Sequence, residues 1–91
     1  MWLFNGVEQA EHKGVNTLVY DYSKLIGRII EKCGTQGNFA QLMGLTERTV
    51  SLKLNNKVPW TQPDIDKAST ILDIAVEDLH SYFFAKNVQF A

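Results

Sequence analysis

The chain has 91 residues, a formal net charge of −1 and 45% hydrophobic residues, which predicts one small folded domain with a core of its own. No segment is long and apolar enough to span a membrane. The single cysteine, Cys33, excludes an internal disulfide and fits a reducing cytoplasm, so we expect a cytoplasmic protein.

The N-terminal segment shows no sustained hydrophobic period and no evident helix cap. We therefore predict a poorly ordered arm over residues 1–19. A second interpretation stays open, in which these residues are not native to the working protein. Lys13-Gly14-Val15 can be encoded by a sequence that resembles a bacterial ribosome-binding site, and Leu18 or Val19 would then be the start.

A helical stripe follows the arm. Apolar residues recur at i, i+3, i+4, i+7, i+8 and i+11 from Tyr22 to Cys33, which predicts a first helix over 21–33 with one buried face. Asp21 is a suitable N-cap and Gly34 a suitable stop, since glycine tolerates the left-handed backbone.

The segment 36–57 predicts two short helices around a tight turn. Helix 2 is expected over 36–43 and helix 3 over 47–55. A small residue, Ala40, falls four positions before Gly44. This spacing is typical of a helix-turn-helix, because the two helices cross closely and the turn favours a residue with positive φ.

The C-terminal part predicts helix 4 over 62–72 and helix 5 over 76–84, each with its own apolar stripe. Threonines precede helices 2, 3 and 4 as expected N-caps. In the tail, 85–91, Val88 and Phe90 alternate with polar residues, so a short strand is conceivable. This apolar end would suit a homodimer contact.

Charge is distributed unevenly along the chain. Residues 24–57 contain six basic and two acidic side chains (+4), residues 1–23 contain one and three (−2), and residues 58–91 contain two and five (−3). The predicted helix-turn-helix thus lies in the basic part. Such a distribution would turn one face toward a polyanion.

Five short helices, with the helix-turn-helix at helices 2 and 3, resemble the DNA-binding domain of the lambdoid phage repressor and Cro (XRE-type) family. The likeness covers about Tyr22 to Phe84, and TVSLKLNNKVPW looks like short Cro-like regulators of Gram-positive phages and prophages. The resemblance implies an all-α, five-helix, lambda-repressor-like domain over 20–84. It also implies a homodimeric transcriptional repressor that binds operator DNA.

By the same resemblance, helix 3 would enter the major groove, while the start of helix 2 and the loop after helix 3 would contact phosphates. Arg48 is the best candidate for reading a guanine. The facing of Leu52 and Lys53 stays open, because the family commonly has an apolar residue where Lys53 stands. The residues predicted to contact DNA are Gln36, Thr46, Glu47, Arg48, Thr49, Ser51, Leu52, Lys53, Asn55, Asn56 and Lys57.

Other classes of function fit the sequence less well than DNA binding. A protein-interaction module on the same fold, such as an antirepressor or an antitoxin-like partner, is the alternative, because the overall charge is modest and Glu47 opens helix 3. Isolated histidines and one cysteine provide no metal-site spacing, and no nucleophile motif or phosphate loop is present. We therefore predict no enzyme, no cofactor, no metal and no small-molecule substrate. The acidic residues of helices 4 and 5 are expected to be a solvated face.

Overall fold

A computed structural model describes the backbone of residues 16–90 and the side chains of residues 19–86. Residues 1–15 and 91 lie outside the described residues, and so does most of the predicted arm. The elements follow in chain order as β1 (Asn16–Tyr20), α1 (Ser23–Cys33), α2 (Gln36–Met43), α3 (Glu47–Leu54), α4 (Gln62–Leu72), a 3₁₀ turn (Val76–Asp78), α5 (Leu79–Phe83) and β2 (Lys86–Phe90).

The predicted five-helix, all-α architecture is confirmed, with a helix-turn-helix at α2 and α3. Every predicted helix is present, although α5 is shorter than expected because a 3₁₀ turn takes up its first three residues. No helix within the described part of the chain has the length and apolar character needed to cross a membrane.

Threonine caps start three of the helices. The Thr35 hydroxyl accepts a hydrogen bond from the Asn38 amide at 3.0 Å, and the start of α3 is capped in the same way. At the start of α4, Thr61 and Asp64 form a reciprocal capping box, with hydrogen bonds of 3.2 and 3.1 Å. These bonds satisfy backbone N–H groups that have no partner inside the helix.

The core lies between the helices and is almost wholly apolar. Burial of the apolar side chains of the core supplies most of the driving force for folding. Ile30, although it belongs to the predicted stripe of α1, is 49% exposed and faces away from this core. The buried apolar residues are Tyr22, Leu25, Ile29, Phe39, Ala40, Met43, Val50, Leu54, Ala68, Leu72, Ile74 and Phe83.

The two ends of the described chain form a small sheet. β1 pairs with β2 in antiparallel register, from Asn16 opposite Phe90 to Tyr20 opposite Lys86. Residues 16–19, placed in the arm by the sequence, therefore form a strand, and the conceivable strand in the tail is present. A single strand leaves its backbone groups unpaired, so each of these segments becomes regular only through the other. The homodimer contact predicted for the tail stays a prediction.

Asn56 joins the sheet to the helix-turn-helix. It follows α3 with a φ of 62°, a left-handed conformation that asparagine tolerates. Its side chain accepts a hydrogen bond from the Tyr20 amide at 3.0 Å and donates one to the Tyr20 carbonyl at 2.9 Å. The side-chain amide of Asn56 thus forms hydrogen bonds with both the N–H and the carbonyl of Tyr20 at one end of β1, as a neighbouring strand would.

We expect Asn56→Ala to lower the free energy of unfolding by about 1–2 kcal/mol, because it removes two hydrogen bonds and places alanine in a left-handed conformation. Asn56→Gly separates these effects, since glycine relieves the backbone cost but leaves Tyr20 unpaired. Hydrogen exchange should show faster exchange of the Tyr20 amide in both variants. Unchanged protection of that amide would contradict the role given to Asn56.

Candidate functional site

The helix-turn-helix is built around close contact between α2 and α3. Gly44 ends α2 with a φ of 73°, and the Leu45 amide donates back to the Ala40 carbonyl at 2.9 Å. A Cβ on Gly37 would lie 3.5 Å from Oε1 of Glu47, an ordinary contact distance, so the first turn of α3 lies beside α2. The sequence therefore positions α3 as the motif requires.

One side of α3 faces an open groove of about 540 Å³ at the junction with α1 and α2. Glu47 and Arg48 are exposed there, whereas Gln36 and Ser51 are half-buried. No described side chain forms a hydrogen bond or ion pair with Arg48. The structure therefore brings these four predicted residues together, and Arg48 carries a free charge.

Several other predicted contact residues serve α3 itself. The Thr46 hydroxyl accepts from the Thr49 amide at 3.1 Å and bonds the Thr49 hydroxyl at 2.9 Å. The Asn55 side chain donates to the Ser51 carbonyl at 2.7 Å. These hydrogen bonds go to backbone groups at the two ends of α3. The side chains therefore have structural roles whether or not they contact a ligand.

The structure corrects the prediction for Lys53. Its side chain is not on the surface but buried, with 5% of the residue exposed. Nζ donates to the Asp64 carboxylate at 2.8 Å and to the Pro59 carbonyl at 2.9 Å. A buried ammonium group needs such partners, and with them it is unavailable to a phosphate. Lys53 therefore occupies the core-facing position three residues after Val50.

The facing of the neighbouring leucines follows from that of Lys53. Leu54 is buried, and Leu52 is half-buried rather than fully exposed. Leu52 therefore presents only part of its side chain to a ligand. In the loop that follows, the Asn56 amide is occupied by Tyr20, whereas Lys57 is exposed.

Six basic side chains lie between residues 24 and 57. Three of them, Lys24, Arg28 and Lys53, form hydrogen bonds with other parts of the fold. Lys24 donates to the Ser81 hydroxyl at 3.0 Å and lies 4.6 Å from the centre of the Tyr82 ring. Arg28 donates to the Leu72 and Asp73 carbonyls at 2.8 and 2.9 Å, at the end of α4. All three side chains therefore hold the fold together, and Lys53, which is buried and paired with Asp64, is removed from the predicted positive face.

An apolar cleft beside α4 and α5 is a feature that the sequence interpretation missed. It measures about 640 Å³ and includes one acidic side chain, Asp66. The sequence predicts a solvated face for the acids of this region, and Asp66, Asp73, Glu77 and Asp78 are exposed. The apolar spacing of α4 and α5 was the available signal, but it does not show which side chains remain uncovered. The lining residues are Gln62, Pro63, Ile65, Asp66, Leu79 and Phe84.

Within residues 19–86 no group of three or more His, Cys, Asp and Glu side chains is arranged to hold a metal ion. Cys33 is half-buried, and burial raises the pKa of its thiol. A raised pKa leaves the thiol protonated, and this disfavours nucleophilic chemistry.

The chain is similar to a protein family and to a solved structure. A family model described as "Protein of unknown function (DUF739)" matches residues 18–86. A solved structure of the modulator of repression (MOR) of the temperate bacteriophage TP901-1 from Lactococcus lactis is 60% identical in sequence, with a TM-score of 0.65. That match covers 71% of this chain and 88% of the phage protein. No curated protein matches the chain.

The comparison shows that the sequence-based assignment to the lambdoid repressor and Cro (XRE-type) family was wrong. The matching family is a different one, and the similar phage protein is described as a modulator of repression, not as a repressor. The resemblance arose from the helix-turn-helix, which the structure contains. An architecture of this kind does not by itself establish DNA binding.

We expect Lys53→Ala to lower the free energy of unfolding by about 2–4 kcal/mol, because it leaves the Asp64 carboxylate and the Pro59 carbonyl without their shared donor. Lys57→Ala is the matched control, and a change within about 0.5 kcal/mol is expected for this exposed lysine. Urea denaturation followed by circular dichroism measures both. Equal effects of the two substitutions would show that the Lys53 contacts contribute nothing specific.

The hydrogen bonds to Asp64 also predict that the folded protein loses stability in acid. Partial burial would raise the pKa of Asp64, but hydrogen bonds from Lys53 and Thr61 outweigh it and lower the pKa below its ordinary value of 3.8. The ionised form is thus favoured in the folded state. Its stabilising contribution is present above pH 3.8 and is lost as the pH falls through the lower, folded pKa.

Unfolding of wild-type protein and Asp64→Asn should be measured from pH 6 to pH 2. The wild type should lose more stability than the variant on acidification. Asp21, whose pKa is lowered by hydrogen bonds from Ser23, titrates in both proteins and cancels in the difference. Parallel pH profiles would contradict the assignment to Asp64.

Proposed function

Because the chain belongs to the DUF739 family, and because a 60% identical phage protein of the same fold is a modulator of repression, we propose that this protein also modulates a phage repressor. It would act by binding the repressor protein directly, in the cytoplasm of the bacterial host. This is the protein-interaction alternative of the sequence analysis, with the partner now specified as a repressor.

The similarity to the modulator is the observation that carries the proposal. It extends over 88% of the phage protein, so it is not confined to the helix-turn-helix. A common type of partner is the simplest reason for an identity of 60% over that length.

The electrostatics of the structure support a protein partner over direct operator binding. Affinity for DNA depends on several free cations placed along the phosphate backbone. Here Lys24, Arg28 and Lys53 are engaged within the fold, and the whole chain carries a net charge of −1. Arg48, the free cation on α3, can instead contact a protein surface.

The proposal is tested by isothermal titration of the protein with the repressor of the same phage or prophage. We expect a saturable complex with a dissociation constant of ~1 μM or tighter, as for a specific protein interface. Adding the protein should also change the apparent affinity of the repressor for its operator, measured by fluorescence anisotropy of labelled DNA.

The control titration places the protein alone on the same operator at two salt concentrations. The proposal expects no preference over scrambled DNA, and it expects Arg48→Ala to leave this weak binding almost unchanged. Tight, salt-sensitive binding that is specific for the operator and lost in Arg48→Ala would contradict it, as would the absence of any complex with the repressor.

A further inference from the structure

The polar side chains that line the groove at α3 are mostly hydrogen-bond donors. Thr35 and Ser51 contribute hydroxyls, and Gln36 contributes a carboxamide. Arg48 adds an exposed guanidinium that forms no hydrogen bond or ion pair with a described side chain. Donors that converge on one concave surface favour an anion, and a guanidinium matches the oxygens of a phosphate. Among the described residues that line this groove, only Glu47 is acidic.

The start of α2 makes the same groove attractive to negative charge. The Thr35 hydroxyl accepts a hydrogen bond from the Asn38 amide, whereas the Gln36 and Gly37 amides have no acceptor within residues 19–86. Unpaired amides and the helix dipole together favour an anion at the first turn of a helix. A phosphate in the groove would therefore be stabilised by the start of α2 as well as by Arg48.

The carboxylate of Glu47 already lies at this place. A Cβ on Gly37 would be 3.5 Å from Oε1 and 3.8 Å from Oε2 of Glu47, so both oxygens lie against the second residue of α2. Glu47 is also the first residue of α3, and a negative charge is favoured at that position too. One carboxylate is therefore close to the starts of both helices of the motif.

We propose that the Glu47 carboxylate occupies the anion site of the helix-turn-helix and thereby excludes a DNA phosphate from it. A phosphate that approaches Arg48 would meet the like charge of the adjacent Glu47 and would have to displace it from the start of α2. Glu47 would act in this way whichever protein the chain binds. The proposal therefore goes beyond the proposed function, since it concerns the ligand that the motif rejects.

The charges of α3 are balanced so finely that one residue can decide the outcome. The helix contains three charged side chains, and Lys53 is buried in its pair with Asp64. Glu47 and Arg48 are both exposed and adjacent in sequence, so the exposed charges of α3 sum to zero. Loss of the Glu47 charge would leave Arg48 as a net positive charge beside the unpaired amides of α2.

Glu47→Gln tests the proposal, because it removes the charge and keeps the size of the side chain. Glu77→Gln is the matched control, since Glu77 is an exposed glutamate in the 3₁₀ turn and does not line the groove. Fluorescence anisotropy of a labelled DNA duplex of scrambled sequence measures binding at two salt concentrations. Thermal unfolding of each variant verifies that the fold is intact.

Glu47→Gln should bind the duplex about tenfold more tightly than the wild type at low salt, and its affinity should fall more steeply with added salt, because a new phosphate contact releases counterions. Glu77→Gln should stay within about twofold of the wild type, since a distant exposed charge contributes little. Adding Arg48→Ala to Glu47→Gln should remove the gain. In NMR titrations with inorganic phosphate, the Gln36 and Gly37 amides should shift in Glu47→Gln and not in the wild type.

The possible results separate this proposal from the proposed function. Equal DNA affinity of Glu47→Gln and the wild type would overturn the role of Glu47. An equal gain in Glu77→Gln, or a gain that survives the loss of Arg48, would also overturn it, because only net charge would then matter. Tight operator binding by the wild type would overturn both proposals. Absence of a repressor complex, with the gain in Glu47→Gln intact, would overturn the proposed function alone.

Discussion

The ion pair between Lys53 and Asp64 connects the two halves of this fold. The ammonium of Lys53, at the end of α3, reaches the carboxylate at the start of α4 at 2.8 Å and also binds the Pro59 carbonyl of the intervening linker. The same carboxylate accepts from the Thr61 amide and so caps α4. One pair of charges therefore fixes the orientation of α3, the path of the linker and the start of α4. An unpaired charge at this depth would be strongly unfavourable, so the three features depend on one another.

This pair also removes a charge from the surface of the helix-turn-helix. From the sequence, Lys53 is expected to be a positive side chain on the surface of the recognition helix. In the structure its charge is neutralised inside the protein. Lys24 and Arg28 have similar roles, since one packs on Tyr82 and the other binds the carbonyls at the end of α4. Basic residues that hold helices together account for much of the charge asymmetry that the sequence presents as a DNA-binding face.

Local features of the sequence predicted local features of the structure. The stripe of α1, the threonine caps and the glycine turn were readable, because the groups involved lie within a few residues of one another. The facing of Lys53 was not readable, because it depends on Asp64, eleven residues away. Pairing of β1 with β2 joins residues about seventy positions apart, so neither strand signals its partner.

Function was harder to predict than fold, for the same physical reason. Short helices in this order predict a helix-turn-helix, but the motif does not show whether its surface is free, neutralised or covered. The apolar cleft that Asp66 lines arises from how α4 and α5 lie in the fold, and that arrangement is not visible in the spacing of either helix. The fold class was therefore predictable, whereas the family and the partner required comparison with a similar phage protein.

The most direct test of the central claim is a pair of NMR titrations of the ¹⁵N-labelled protein, one with the unlabelled repressor of the same phage and one with its operator DNA. The account predicts saturable shifts with the repressor and no saturable shifts with DNA at physiological salt. Saturable shifts with DNA that centre on residues 47–54, together with none from the repressor, would contradict it.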